Sequence, residues 1–194
     1  ACRWWNPRLL LDSEGPGTAR LFLWRGPRPC SGQVSVFEAD ITAPSLLRFS
    51  LDLSAGVLNV TFSEAMDVAT IVPSQITLQS DSVANGTTQS VQLTGGVVVS
   101  ATDAKSASIV LVASDLNNIK LLDGLATTSG NTYLIHTSGF GRDFFNLSIT
   151  AISSSNGLLA DNFEPDRVSP SLVAFSLDMN NNQIVLTFSE VVRV

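Results

Sequence analysis

The chain has 194 residues, a formal net charge of −6, 44% apolar residues and only 14% charged ones, against roughly a quarter charged in ordinary soluble domains. That length holds one domain comfortably or two small ones, and no apolar run approaches the ~20 residues that cross a bilayer as a helix. So few charges, in a chain rich in Ser and Thr, fit a surface covered by hydroxyls, sugars or partner subunits, and the acidic balance with scattered Arg argues against nucleic-acid binding.

Residues 1–39 stand apart. Arg3, Arg8, Arg20, Arg25 and Arg28 face only Asp12 and Glu14 within residues 1–30, a balance of +3, while the remainder of the chain carries −9. This predicts a solvated basic arm or one that docks on an acidic surface, such as a neighbouring copy. Cys2, Cys30, Trp4, Trp5 and Trp24 all lie in it. A disulfide Cys2–Cys30 is expected in an oxidising compartment, worth roughly 3 kcal/mol by loop closure. The start has neither Met nor a signal-peptide pattern, so a processed or excised product is expected. Val34 and Val36 fall in a short apolar alternation ending at Phe37.

From residue 40 the pattern becomes that of short strands. Leu47, Phe49, Leu51 and Leu53 alternate with polar residues, Ser54-Ala55-Gly56 makes a turn, and Leu58, Val60 and Phe62 return, which predicts a half-buried hairpin with Asn59 facing outward. Further strands are expected near 75–80, 87–93, 96–101, 106–112, 132–137, 144–150 and 157–163. One short helix is expected over Asp115–Lys120, with Ser114 as its N-cap. A second hairpin follows, with Val173, Phe175, Leu177 and Met179, the turn Asn180-Asn181-Asn182, then Ile184, Leu186 and Phe188.

The two hairpins are copies. Residues 37–64 and 163–190 align without a gap at a constant offset of 126 and agree at 14 of 28 positions, the mark of an internal repeat. An isolated hairpin is not stable in water, so each implies more strands. Many short alternating strands with turns between them predict an all-β fold, an immunoglobulin-like β-sandwich. The expected division is 1–39, ending in the last strand of a preceding partial repeat; 40–165, one complete repeat; and 166–194, the opening hairpin of a following repeat.

The pattern at Asp40, Pro44, Leu46, Phe49, Leu51, Asp52, Thr61, Phe62, Ser63 and Glu64 recurs at Asp166, Pro170, Leu172, Phe175, Leu177, Asp178, Thr187, Phe188, Ser189 and Glu190. It resembles tandem immunoglobulin-like repeats of secreted eukaryotic microbial glycoproteins, including those of flagellar hairs (mastigonemes) and related extracellular fibrils. The resemblance covers about 40–194 and implies a fibrous, glycosylated, non-catalytic role outside the cell.

An unfinished hairpin exposes backbone donors and one apolar face. The expected function is therefore a structural subunit of an extracellular glycosylated filament, built head to tail from identical protomers by strand complementation. Val173, Phe175, Leu177, Met179, Ile184, Val185, Leu186 and Phe188, with Val34 and Val36, are its expected assembly residues. Val185 stands where the first hairpin has Asn59, as expected if a partner covers that face. The alternative is a piece of a tandem-repeat cell-surface adhesin or glycan-binding protein.

Covalent glycans are expected at the three Asn-x-Ser/Thr triplets, Asn59, Asn85 and Asn146, of which Asn85 lies in an expected loop. No enzyme motif appears: His136 reads as a strand residue with a satisfied ring, and no serine elbow, phosphate loop or metal spacing is present. The oxygen-rich run Asp178–Asn182 lacks the spaced ligands and distal Glu of a calcium loop and reads as a turn. Neither cofactor nor metal is expected.

Overall fold

The computed structural model describes residues 38–100 and 104–192. The expectations for Cys2, Cys30, Val34, Val36 and the three tryptophans lie outside them. Residues 1–39 and the chain from Asp40 onward form separate units, and every strand and helix described belongs to the second.

The elements of this second unit are β1 (Leu46–Asp52), β2 (Val57–Phe62), β3 (Met66–Asp67), β4 (Ile76–Gln79), β5 (Ser90–Gln92), β6 (Gly96–Ser100) and β7 (Ser106–Leu111), then the single α-helix described, α1 (Ala113–Leu121). They continue with β8 (Tyr133–His136), β9 (Arg142–Asp143), β10 (Leu158–Leu159), β11 (Asn162–Glu164), β12 (Leu172–Asp178) and β13 (Gln183–Phe188). A five-stranded sheet runs β11-β1-β2-β7-β6 and a four-stranded one β10-β8-β4-β5. All pairings in these two sheets are antiparallel except β1 with β11. The fold is all-β in substance.

Period-2 patterning explains both sheets. Phe49 and Leu51 of β1, Leu58 and Val60 of β2 and Ile109 of β7 turn their side chains into one core with Ile76 and Leu78 of β4 and Leu134 of β8. Phe62 and Phe140 meet in the core with ring centres 6.0 Å apart. Burying side chains of this size contributes roughly 1.5–3 kcal/mol each. At the first residue of β6, Gly96 has φ +155 and a Cβ there would lie 2.9 Å from the carbonyl oxygen of Val110, so only glycine fits.

Three expectations need correction. Leu47 does not face inward: the β1–β2 pairing slips between Leu46 and Arg48, so Leu46 is buried and Leu47 is 56% exposed. A bulge gives the strand one extra residue and shifts the facing pattern on one side of it. Ser114 is not the helix cap: the helix opens after Val112, with no side-chain cap. Asp115 in its first turn is instead fully buried, its carboxylate accepting from the amide (2.7 Å) and hydroxyl (2.8 Å) of Thr94. In place of the strand expected at 144–150 there is a turn at Phe144–Phe145 and one isolated bridge from Ser148 back to Arg142, because Asp143 Oδ1 accepts from the amides of Phe145 and Leu147, both at 2.8 Å. That closes the chain on itself just after β9 and leaves Phe144 and Phe145 exposed.

Candidate assembly surface

The hairpin β12–β13 reproduces β1–β2 pair for pair. Leu46↔Phe62, Phe49↔Val60, Ser50↔Asn59, Leu51↔Leu58 and Asp52↔Val57 in the first become Leu172↔Phe188, Phe175↔Leu186, Ser176↔Val185, Leu177↔Ile184 and Asp178↔Gln183 in the second. The bulge recurs between Leu172 and Ala174. The closing bonds recur too: the Ser45 carbonyl accepts from the Ser63 amide and that of Ser171 from the Ser189 amide, both at 2.9 Å. Each turn needs one residue in the left-handed region, filled by Gly56 (φ +65) in one and Asn182 (φ +50) in the other, the two residue types that adopt it most readily.

The burial differs completely. Phe49 is 1% exposed and its counterpart Phe175 66%; Leu58 is 0% exposed and its counterpart Ile184 59%. Leu172, Leu177, Met179 and Leu186 are exposed as well, while Phe188 is half-buried. Val173 and Val185 are also exposed. By correspondence with Leu47 and Asn59 they belong to the hairpin's other face, so the apolar surface has a broad inner side and a smaller outer one. Apolar patches of this extent on a soluble protein mark interaction surfaces.

The hairpin is fastened by polar groups. Lys120 of α1 reaches Asp166 Oδ2 at 2.7 Å and Glu190 Oε2 at 2.8 Å. Ser54 at the first hairpin's turn donates to the carbonyl of Pro165 and accepts from the amide of Arg167. Burial alone would lower the Lys120 pKa, but its hydrogen bonds to Asp166 and Glu190 outweigh this and raise it. For Asp166, burial raises the pKa, yet the bonds from Lys120 and the Val168 amide bring it below the usual value. This clamp had no sequence signal, because its three members come from distant segments and only the fold joins them.

The three glycan acceptors are all exposed, in different settings. Asn85 Oδ1 accepts from the amide (2.8 Å) and the hydroxyl (2.7 Å) of Thr87, a local turn within the triplet itself that leaves Nδ2 outside both bonds. Asn59 sits on the central strand β2, donating from Nδ2 to Ser50 and accepting from Ser108 at 2.6 Å. Asn146, with φ +68, occupies the turn after β9 and accepts from Arg142 at 2.7 Å.

His136 ends β8 in the core, 3% exposed. Its Nδ1 lies 3.0 Å from the Thr137 carbonyl, which can only accept, so Nδ1 carries the proton. Its ring centre stands 5.0 Å from that of Phe140, and Nε2 has no hydrogen-bond partner among the described residues. The ring is satisfied on one side only, a correction to the expectation. Asp178 forms a turn: Oδ1 accepts from the amides of Asn180 and Asn181, and Oδ2 from the Asn181 side chain at 2.7 Å. These bonds, that from the Asn181 side chain foremost, hold its pKa down. Among the described residues no helix is long and apolar enough to cross a membrane.

No protein-family model matches the chain, and no curated protein matches it. Among solved structures it is similar to bacterial S-layer protein SbsC. The crystal structure of rSbsC(31-844) is 15% identical over 70% of this chain and 15% of that one, with a TM-score of 0.38. The N-terminal part of the same S-layer protein is 13% identical over 75% of this chain and 31% of that one, and its domains 1–6 are 13% identical over 76% and 18%, again at 0.38. The chain thus spans under a third of those proteins, and a likeness this distant carries no argument about its role.

Proposed function

We propose that the chain is a non-catalytic building block of an extracellular structural assembly, joined head to tail where strands of another protomer cover the apolar face of β12–β13. The observation that carries this reading is the contrast between the hairpins: one register, one bulge and one turn, with Phe49 buried and Phe175 in water. A hairpin built for a core and lacking one has a defined complement, the strands that cover β1–β2. Burying Phe175, Leu177, Ile184 and Leu186 would contribute roughly 1.5–3 kcal/mol each. Contact of one end with the other of the next copy is heterologous, and where the rotation between copies closes no ring it grows a filament.

The order β6-β7-β2-β1 opposite β5-β4-β8-β10 supports an immunoglobulin-like sandwich, in which the last strand crosses to the first sheet as β11 beside β1. The resemblance to repeats of secreted fibrillar glycoproteins points the same way, to a glycosylated extracellular filament.

A second reading draws on the Lys120 clamp, which fixes the hairpin against the preceding sandwich as a junction inside one long chain would. In that case the chain is part of a tandem-repeat surface protein, an adhesin or glycan binder, and the cover comes in cis. Light scattering and negative-stain electron microscopy of the purified chain decide between them. Concentration-dependent polymers that disappear in Phe175→Asp support assembly, whereas monomers at every concentration sink it.

A further inference from the structure

The offset of 126 that pairs the hairpins also pairs Asp40 with Asp166 and Glu64 with Glu190. In the second copy these two carboxylates seat a cation, the ammonium of Lys120, at 2.7 and 2.8 Å. In the first copy the third group is another acid. One carboxylate oxygen each from Asp40, Glu64 and Asp143 lies within 4.8 Å of the other two.

The arrangement is costly as it stands. Asp143 is 4% exposed. Its Oδ1 is engaged by the amides of Phe145 and Leu147, while Oδ2 is buried with no hydrogen-bond partner among the described residues. Glu64 Oε1 is in the same condition. A buried acceptor left unpaired has lost its hydration with nothing in return, and the loss is greater when it is charged. Burial pushes the Glu64 pKa up, the charges of Asp40 and then Asp143 push it further, and Lys105 opposes them. The second copy sets two carboxylates against one ammonium. The first gathers three carboxylates, so the charge left to neutralise is larger.

We propose that Asp40, Glu64 and Asp143 form a binding site for a divalent cation of the calcium class. Hard oxygen donors without nitrogen or sulfur select such ions. Calcium–oxygen distances of about 2.3–2.6 Å allow ligand oxygens on one ion to stand up to ~5 Å apart, and the cluster fits within that span. The three ligands come from the segment leading into β1, the bend just after β2, and β9. A bound ion ties that leading segment to the chain just after β2 and to β9, at the place where the second repeat uses Lys120. This inference is independent of the assembly reading.

The test uses the full chain, first stripped with EDTA and then titrated with CaCl2 against NaCl of matched ionic strength. Calcium at a hundredfold above its Kd raises the melting temperature by roughly 5–10 °C, and native mass spectrometry finds one ion per chain. Glu64→Gln and Asp40→Asn each abolish the shift and the bound ion, and ion-free Glu64→Gln melts higher than the ion-free wild type because the repulsion is relieved. Asp166→Asn responds to calcium as the wild type does. No calcium-dependent shift in the wild type, or an equal shift in both Glu64→Gln and Asp40→Asn, overturns the proposal.

Discussion

At the scale of single residues, side-chain hydrogen bonds separate positions that look alike in the sequence. Asn59, Asn85 and Asn146 carry the same triplet, but Thr87 already folds against Asn85, whereas the Asn59 amide is shared between Ser50 and Ser108. Expression in a glycosylating host is expected to modify Asn85 most completely. Intact mass before and after deglycosylation should lose one glycan in Asn85→Gln and change less in Asn59→Gln. His136 gives a pH signature. Burial depresses its pKa below 6.5, against the opposing bond to Thr137, so the folded state prefers the neutral ring. Its contribution to stability is complete above pH 6.5 and is lost as pH falls through 6.5 towards the lower folded value. Urea melts at about pH 7.5 and about pH 5, on either side of the ordinary histidine value, should show this loss in the wild type and not in His136→Gln. The histidine's place on a strand was legible from Tyr133-Leu134-Ile135-His136, but the missing partner of Nε2 was not, since it depends on what packs across from it.

At the scale of elements, two hairpins of one register in opposite surroundings make a controlled comparison. Phe49→Ala should cost about 3–5 kcal/mol in equilibrium denaturation, the usual penalty for emptying an aromatic core site. Phe175→Ala should lie within about ±0.5 kcal/mol for the monomer, as exposed positions do. The Lys120 clamp makes a further prediction. Lys120→Met leaves Asp166 and Glu190 facing each other and should weaken hairpin docking by about 1–3 kcal/mol, visible as faster amide exchange at Ser171 and Ser189 with the sandwich core unchanged. The raised Lys120 pKa keeps the clamp intact below 10.5 until pH rises through the folded value, and the lowered Asp166 pKa keeps it intact above 3.8 until pH falls through the folded value. Changes of pH around neutrality therefore leave it untouched. Strand alternation made both hairpins readable in advance. The bulge at Leu46 was not, because Leu46 and Leu47 are chemically the same and only the pairing with Phe62 and Thr61 tells them apart. The helix was readable but its cap was not: Asp115 is drawn inward by Thr94, a partner from a distant turn.

At the scale of the whole molecule, the repeat was the most informative feature of the sequence, since one constant offset predicted where a second core-forming surface would stand. What the offset could not convey is which polar groups would meet around each copy, because Lys120 and Asp143 lie outside the repeated 28-residue stretch. If the assembly reading holds, Phe175→Asp should abolish polymers and leave the melting temperature of the monomer nearly unchanged, a separation that calorimetry and light scattering on one sample can measure. The likeness of the two hairpins has a kinetic side as well. Residues 46–62 and 172–188 offer a folding chain two competing occupants for a single place in the core, since apolar side chains recur at Leu46/Leu172, Phe49/Phe175, Leu51/Leu177, Leu58/Ile184 and Phe62/Phe188. A chain that installs the later segment first would be trapped with the earlier one displaced, and two such chains could exchange segments. Refolding is then expected to show a slow phase whose amplitude falls when Phe175 and Leu186 are made polar, because only one of the two hairpins then still fits the core.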